Sequence, residues 1–285
     1  MRKIKTAAAQ MACSWDLDDN ISKAEKLVRQ AAKSGANIIL LPELFETPYF
    51  CQVEKYEYLK LAKTIDENRA VNHFKEVAKE LGVVLPISFF EKRNNCAFNS
   101  AAVIDADGQI LGTYRKTHIP DGHCYEEKFY FTPGDTGFKV WNTQYAKIGV
   151  GICWDQWFCE SARIMALMGA EILLYPTAIG SEPVLNTDSS LHWQRVMQGH
   201  GAGNLMPLIA SNRAGTEPAP SSSQMTFYGN SFIADETGAI IKQLDDKEEN
   251  FITAEFDLEK IQDFRRGWGI FRDRRPEMYK KILEH

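Results

Sequence analysis

Cys153 stands where a short apolar run, Ile148-Gly-Val-Gly-Ile152, gives way to Trp154-Asp-Gln-Trp-Phe158, the way a strand hands a side chain to the mouth of a site. A thiol among aromatics is ordinarily inert, with a pKa near or above ~8.5, so to attack a carbon it needs a base and a positive charge brought from elsewhere in the chain. Two other segments offer them: Glu43 in Leu40-Leu-Pro-Glu-Leu44 and Lys116 in Tyr114-Arg-Lys-Thr-His118. To hydrolyse a C–N bond, a cysteine must lose a proton, attack a carbonyl, have the oxyanion stabilised and see a proton returned to the leaving amine. Glu43 is suited to take the thiol proton and later deliver it. Lys116 and the backbone N–H of Trp154 are suited to the oxyanion.

These residues need elements to carry them. Ile21, Ala24, Leu27, Val28 and Ala31 recur at three and four residues, which predicts an amphipathic helix over 18–34 ended by Gly35, with a strand at Asn37–Leu41. A second stripe, Val71, Phe74, Val77, Ala78 and Leu81, predicts a helix over about 68–81 that stops at Gly82 and feeds a strand at Val83–Phe89. Strands follow at Ala97–Asp105 and Ile110–Arg115 around a turn at Asp107-Gly108. Gly35-Ala-x-Ile-x-Leu-x-Pro42 recurs as Gly169-Ala-x-Ile-x-Leu-x-Pro176, each time after a helix, so two similar strand–helix–strand units are expected in a two-sheet core. Glu43 and Cys153 then both project from carboxyl ends of strands, where α/β sheets build sites. Further on come helices near 159–168 and 189–203, a strand at Leu208–Ser211, and a polar loop at Thr216–Ser223. A hairpin over 231–244, a strand at Phe251–Phe256 and a partly helical tail complete the chain.

With 285 residues, 44% hydrophobic and 25% charged, and no low-complexity linker, the chain is expected to fold as one α/β domain over 1–285, its tail from about 257 used in packing or oligomer contacts. Apolar runs are strand-sized, shorter than the roughly 20 residues of a membrane span, and the N-terminus lacks the pattern of a secretory signal, which points to a cytoplasmic protein. The net charge of −5 argues against a nucleic-acid partner. Six cysteines without CxxC spacing read as reduced thiols. His192 and His200, eight apart with no third ligand nearby, read as core or hydrogen-bonding residues rather than metal ligands. A cysteine–histidine dyad using His118 or His192 is the rival catalytic reading.

Leu-Pro-Glu43, Tyr-Arg-Lys116-Thr-His and Gly-x-Cys153-Trp-Asp-Gln-Trp-Phe, in this order, resemble the nitrilase (carbon–nitrogen hydrolase) superfamily over nearly the whole chain. Lys116-Thr-His-Ile-Pro-Asp-Gly122, Glu127-Lys-Phe-Tyr-Phe131, Tyr175-Pro-Thr-Ala-Ile-Gly-Ser-Glu-Pro183, Arg195-Val-Met-Gln-Gly-His200 and Phe271-Arg-Asp-Arg-Arg-Pro276 are similar to its N-carbamoylputrescine amidase branch. The resemblance implies a four-layer α-β-β-α sandwich, no metal or organic cofactor, a homo-oligomer built from dimers and a small cationic ureido substrate. It carries the base to Glu43, the oxyanion lysine to Lys116, the nucleophile to Cys153 and a second glutamate, holding Lys116 in place or assisting proton transfer, to Glu127. For the substrate's distal ammonium, Glu182 is the candidate carboxylate, and Tyr49, Tyr130 and Trp154 are candidates for the methylene channel. Relatives acting on other ureido acids or ω-amides, and a catalytically silent member of the fold, are the alternatives.

Overall fold

The structure, a computed structural model, describes residues 1–181, 184, 188–219 and 224–284. It opens with strand β1 (Lys3–Gln10), helix α1 (Leu17–Lys33) and strand β2 (Ile38–Leu40). The Asp16 side chain caps α1 by accepting from the Asp19 N–H, and the predicted stripe from Ile21 to Ala31 is buried. Gly35, at φ +91°, turns the chain back so that β2 lies parallel to β1, Thr6 opposite Ile38. Next come α2 (Arg69–Leu81), capped by Asn68 and closed by a left-handed Gly82, and the antiparallel strands β3 (Leu85–Arg93), β4 (Cys96–Ile104) and β5 (Ile110–Arg115).

After the short helix α3 (Glu127–Tyr130) the chain runs through β6 (Val140–Asn142), β7 (Lys147–Val150), α4 (Cys159–Leu167) and β8 (Ile172–Pro176). Strands β7 and β8 are parallel, Ile148 opposite Ile172, and flank α4 as β1 and β2 flank α1. The echoed Gly-Ala segments thus both close strand–helix–strand units. Then follow β9 (Gly180–Ser181), α5 (Ser190–Asn204), β10 (Leu208–Ser211), β11 (Thr216–Pro218), β12 (Gln224–Phe227), β13 (Phe232–Ala234), β14 (Ile240–Gln243), β15 (Asn250–Asp257) and α6 (Leu258–Trp268).

One large sheet has the order β15-β1-β2, continued into β3-β4-β5 where the Ile39 N–H donates to Val84 and the Val84 N–H donates to Asn37. The other has the order β14-β13-β10-β8-β7-β6. Period-two alternation decides the layering. Ala7, Ala9, Ile39 and Leu85 turn outward against Val28 and Phe74 of α1 and α2. Ala8, Ile38, Leu40 and Val84 turn inward and meet Ile148, Val150, Ile172 and Leu174 of the opposite sheet. Beyond that sheet, Leu173, Leu208 and Ala210 pack on Met165, Trp193 and Met197 of α4 and α5. The result is an α-β-β-α sandwich. Each fully buried valine, leucine or isoleucine of these layers is worth roughly 1.5–3 kcal/mol, the alanines less.

Part of the segment predicted as a polar loop at Thr216–Ser223 is instead β-structure: β11 pairs antiparallel with β12, which pairs with β9, in a small third sheet. The cause is tertiary, since Glu217 is drawn into the interior by a buried arginine, Arg213. Residues 220–223 lie outside the described part. The two large sheets also meet at one edge, where the Glu43 N–H donates to Thr177 at 3.3 Å and Ser211 Oγ donates to Leu40 at 2.8 Å. Carboxyl ends of strands from both sheets converge there.

Candidate active site

Three strand ends deliver three side chains to this edge. Glu43 follows β2, Lys116 follows β5 with its N–H donating to the Asn99 carbonyl of β4 at 2.8 Å, and Cys153 follows β7. Glu127 arrives on α3. Lys116 Nζ donates to Glu43 Oε1 at 2.9 Å and to Glu127 Oε2 at 2.7 Å, and all three side chains are fully buried. Asn99 Nδ2 donates to the same Glu43 Oε1 at 2.6 Å, and Tyr49 Oη donates to Glu127 Oε1 at 2.6 Å. Glu43 Oε2 is left with no hydrogen-bond partner although it is buried. An unpaired buried carboxylate oxygen is costly unless something arrives to bond it.

Burial would lower the Lys116 pKa, but the Glu127 and Glu43 carboxylates outweigh it and hold the ammonium well above its ordinary value. The opposite balance holds for Glu127: burial, with the Glu43 charge beside it, outweighs Lys116 and raises the carboxyl to about 7. The Cys153 thiol is pushed well above its ordinary range, first by burial, then by the Glu43 charge, with Lys116 pulling the other way. The resting sulfur is therefore a thiol, and a thiolate has to be made by proton transfer.

Cys153 occupies a sharp turn with φ +41°, a region a residue with a Cβ enters only under constraint. The constraint is Asp155. Its Oδ2 accepts from the Ile152 N–H at 3.0 Å and from Tyr114 Oη at 2.7 Å, while its Oδ1 accepts from the His118 N–H at 3.0 Å. Before the turn, a Cβ on Gly151 would lie 2.7 Å from the Tyr175 ring, so the close approach there requires glycine.

The Cys153 Sγ contacts the Ala178 carbonyl at 3.8 Å and opens onto a cavity of about 390 Å³. Trp154, Trp157, Tyr125, Tyr228 and His192 form most of its wall. Tyr125 Oη donates to Gly180 O at 3.0 Å, fastening one side of the cavity to β9.

Of the residues expected in the substrate channel, Trp154 lines this cavity and two do not. Tyr49 is buried behind Glu127, to which its hydroxyl is committed. Tyr130 is held elsewhere, its ring against Phe50 and its hydroxyl on the Val53 carbonyl at 2.5 Å. Both corrections have one cause: aromatic side chains with polar tips are claimed by nearby partners that sequence spacing does not reveal. Glu182 lies outside the described residues. Trp157, Tyr125, Tyr228 and His192 were not singled out for the channel.

Of the dyad candidates, His118 places Nδ1 2.7 Å from Asp155 Oδ1 and stacks on Phe158, whereas His192 packs on Trp157 in the cavity wall. His200 Nε2 lies 2.7 Å from the Gln156 carbonyl. Among the described residues no three His, Cys, Asp or Glu side chains converge in a way that could hold a metal ion.

A buried carboxylate and ammonium bonded to each other, both acting electrostatically on a thiol that opens onto a cavity, are the parts that acyl transfer through a thioester needs. Comparison with known proteins agrees. Residues 5–266 match the carbon–nitrogen hydrolase family. The chain is 58% identical to an N-carbamoylputrescine amidase of Oryza sativa subsp. japonica, covering 99% of this chain and 95% of that protein. It is 55% identical to a citrullinase of Francisella tularensis over 99% of both. The crystal structure of a carbon–nitrogen hydrolase from Helicobacter pylori G27 superposes with a TM-score of 0.93 at 40% identity, covering 99% of both chains.

Proposed function

The chain belongs to the carbon–nitrogen hydrolase family, and we propose that it is an amidase whose substrate is N-carbamoylputrescine, which it hydrolyses to putrescine, carbon dioxide and ammonia in polyamine biosynthesis. The observation that carries this reading is identity of 56–58% to N-carbamoylputrescine amidases over 99% of the chain.

In the proposed mechanism Glu43 takes the Cys153 proton on Oε2, the oxygen that Lys116 and Asn99 leave unpaired. The thiolate attacks the ureido carbon. Charge developing on the carbonyl oxygen is met by Lys116 Nζ and the Trp154 N–H. Ammonia leaves with the proton Glu43 carried, and a carbamoyl thioester remains on Cys153. Water, deprotonated by Glu43, releases a carbamate that decays to carbon dioxide and putrescine. Glu127, fixed by Tyr49, keeps Lys116 aimed.

The similarity to a citrullinase supports a second reading, because citrulline ends in the same ureido group. It differs at the far end, where it carries a carboxylate as well as an ammonium. The described cavity wall has no lysine or arginine to pair with that carboxylate, and its tryptophans and tyrosines favour a cation over an alkyl chain. N-carbamoylputrescine is therefore preferred, with Glu182 proposed for the distal ammonium. Ammonia release from N-carbamoylputrescine, citrulline, N-carbamoyl-β-alanine and an ω-amide is the test. Higher kcat/KM on N-carbamoylputrescine supports the reading, and higher kcat/KM on citrulline replaces it.

The proposal extends to setting and assembly: a single domain, cytoplasmic, acting as a homo-oligomer built from dimers. In support, Leu167 and Met168 at the end of α4 and Leu191 on α5 leave apolar side chains 47–60% exposed. No helix among the described residues is long and apolar enough to cross a membrane.

A further inference from the structure

Arg213 is among the largest fully buried side chains of the described residues, and its hydrogen bonds go to main-chain carbonyls and Glu217 rather than to the side chains of Glu43, Lys116 or Cys153. It follows β10 and reaches across to the segment after β2. A guanidinium has five N–H donors, and here all are engaged. Nε and Nη2 donate to the Glu43 carbonyl at 3.2 and 3.0 Å, Nη2 also to Leu44 O at 2.6 Å, and Nη1 to Thr47 O at 2.9 Å and Glu217 Oε1 at 2.8 Å. Four of the five bonds fall on carbonyls of one five-residue segment, the one that begins with the proposed base. The other oxygen of Glu217 accepts the Tyr49 N–H at 2.6 Å.

That segment needs holding. Leu44 sits at φ +50°, a costly conformation for leucine, and turns three carbonyls inward where water cannot reach them. Leaving them unpaired would shift the turn, and with it the Glu43 side chain that must meet a proton at hydrogen-bond distance.

We infer that Arg213, held by Glu217, is the positioning residue of Glu43, fixing the base through its main chain while Asn99 and Lys116 fix its carboxylate. The clamp also reaches the substrate side. Glu217 lies on β11, which pairs through β12 with β9, and the Gly180 of β9 lines the cavity. This inference rests on the assignment of Glu43 as base.

The test is a double-mutant cycle of Arg213→Lys and Glu43→Gln, read by the rate at which iodoacetamide alkylates Cys153, followed on the Cys153 peptide. A lysine has three donors and no planar fork, so it cannot serve three carbonyls and Glu217. Arg213→Lys is expected to slow alkylation and to lower kcat by roughly 10–100-fold, as a misplacement of about 1 Å does, with KM within about threefold of wild type. In the Glu43→Gln background it is expected to slow alkylation no further, since groups acting as one unit are non-additive. Multiplying losses, wild-type kcat in Arg213→Lys, or faster alkylation from a merely loosened turn would overturn the clamp. If circular dichroism shows Arg213→Lys unfolded, Glu217→Gln, which keeps one acceptor oxygen, goes through the same cycle with a smaller loss. Failure of the underlying reading looks different: Glu43→Gln alone would then keep wild-type turnover.

Discussion

The two walls of the site are built on opposite rules. On the charged wall Glu43, Lys116, Glu127, Asn99 and Tyr49 are buried and bonded to one another, so that most of their polar atoms, though not Glu43 Oε2, are committed before a substrate arrives. On the aromatic wall Trp154, Trp157, Tyr125, Tyr228 and His192 surround open space, and Trp154 is 38% exposed. The first arrangement costs desolvation and gains preorganisation, which suits charge that develops during reaction. The second offers area and π faces, which suit binding of an alkyl cation. The contrast teaches where rate and selectivity should separate.

The sharpest way to break the comparison is to remove the chemistry and ask whether binding survives. Cys153→Ser and Glu43→Gln are expected to lower kcat by about 10⁴-fold or more while the far-ultraviolet circular dichroism stays unchanged. Lys116→Met should do two things, because it leaves two carboxylates facing each other without a counter-charge. It abolishes turnover, and chemical denaturation should report a loss on the order of 3–5 kcal/mol, the cost of breaking a buried ion pair from one side.

A smaller effect comes from pH. With its carboxyl raised to about 7, Glu127 keeps its proton in the folded protein over a range where the unfolded chain has lost it. The native state then binds more protons than the unfolded one, so stability falls as pH rises from about 4.5 to about 7, by up to roughly 3 kcal/mol. Urea denaturation across that window should show a steeper fall in wild type than in Glu127→Gln, where Glu46 and Glu126, also raised by burial, keep part of it. Because His200, lowered by burial, contributes a rise over the same window, the contrast between the two proteins is the readout, and a wild-type profile no steeper than that of Glu127→Gln contradicts the assignment.

The aromatic wall gives the mildest prediction. Trp157→Ala and Trp154→Ala should raise KM for the cationic ureido substrate by about tenfold, the worth of one cation–π contact of 1–2 kcal/mol, with kcat within about threefold. A fall in kcat as large as that of Glu43→Gln would erase the distinction between the walls.

Much of the layering was legible because it is local. The stripes of α1 and α2, the closing Gly35 and Gly82, and the repeated Gly-Ala unit are periodicities and caps readable within twenty residues, and they put Glu43 and Cys153 at strand ends. What was not legible is the long-range polar bonding. Asn99 meets Glu43 from 56 positions away and Arg213 from 170, and no local pattern announces either. The same blindness explains the errors. Thr216–Ser223 has the composition of a solvated loop until Arg213 pulls Glu217 inward, and Tyr49 resembles a channel residue until its hydroxyl finds Glu127. Asp155 could have been found from its place two residues after Cys153, where a short acidic side chain can fold back on the Ile152 N–H.

The most direct test is to look for the bond the charged wall exists to make. Acid-quenched single turnovers with N-carbamoylputrescine labelled at the ureido carbon should place the label transiently on the peptide containing Cys153, and on no peptide in Cys153→Ser. Turnover at the wild-type rate by Cys153→Ser, or label accumulating on a different cysteine, would contradict the account.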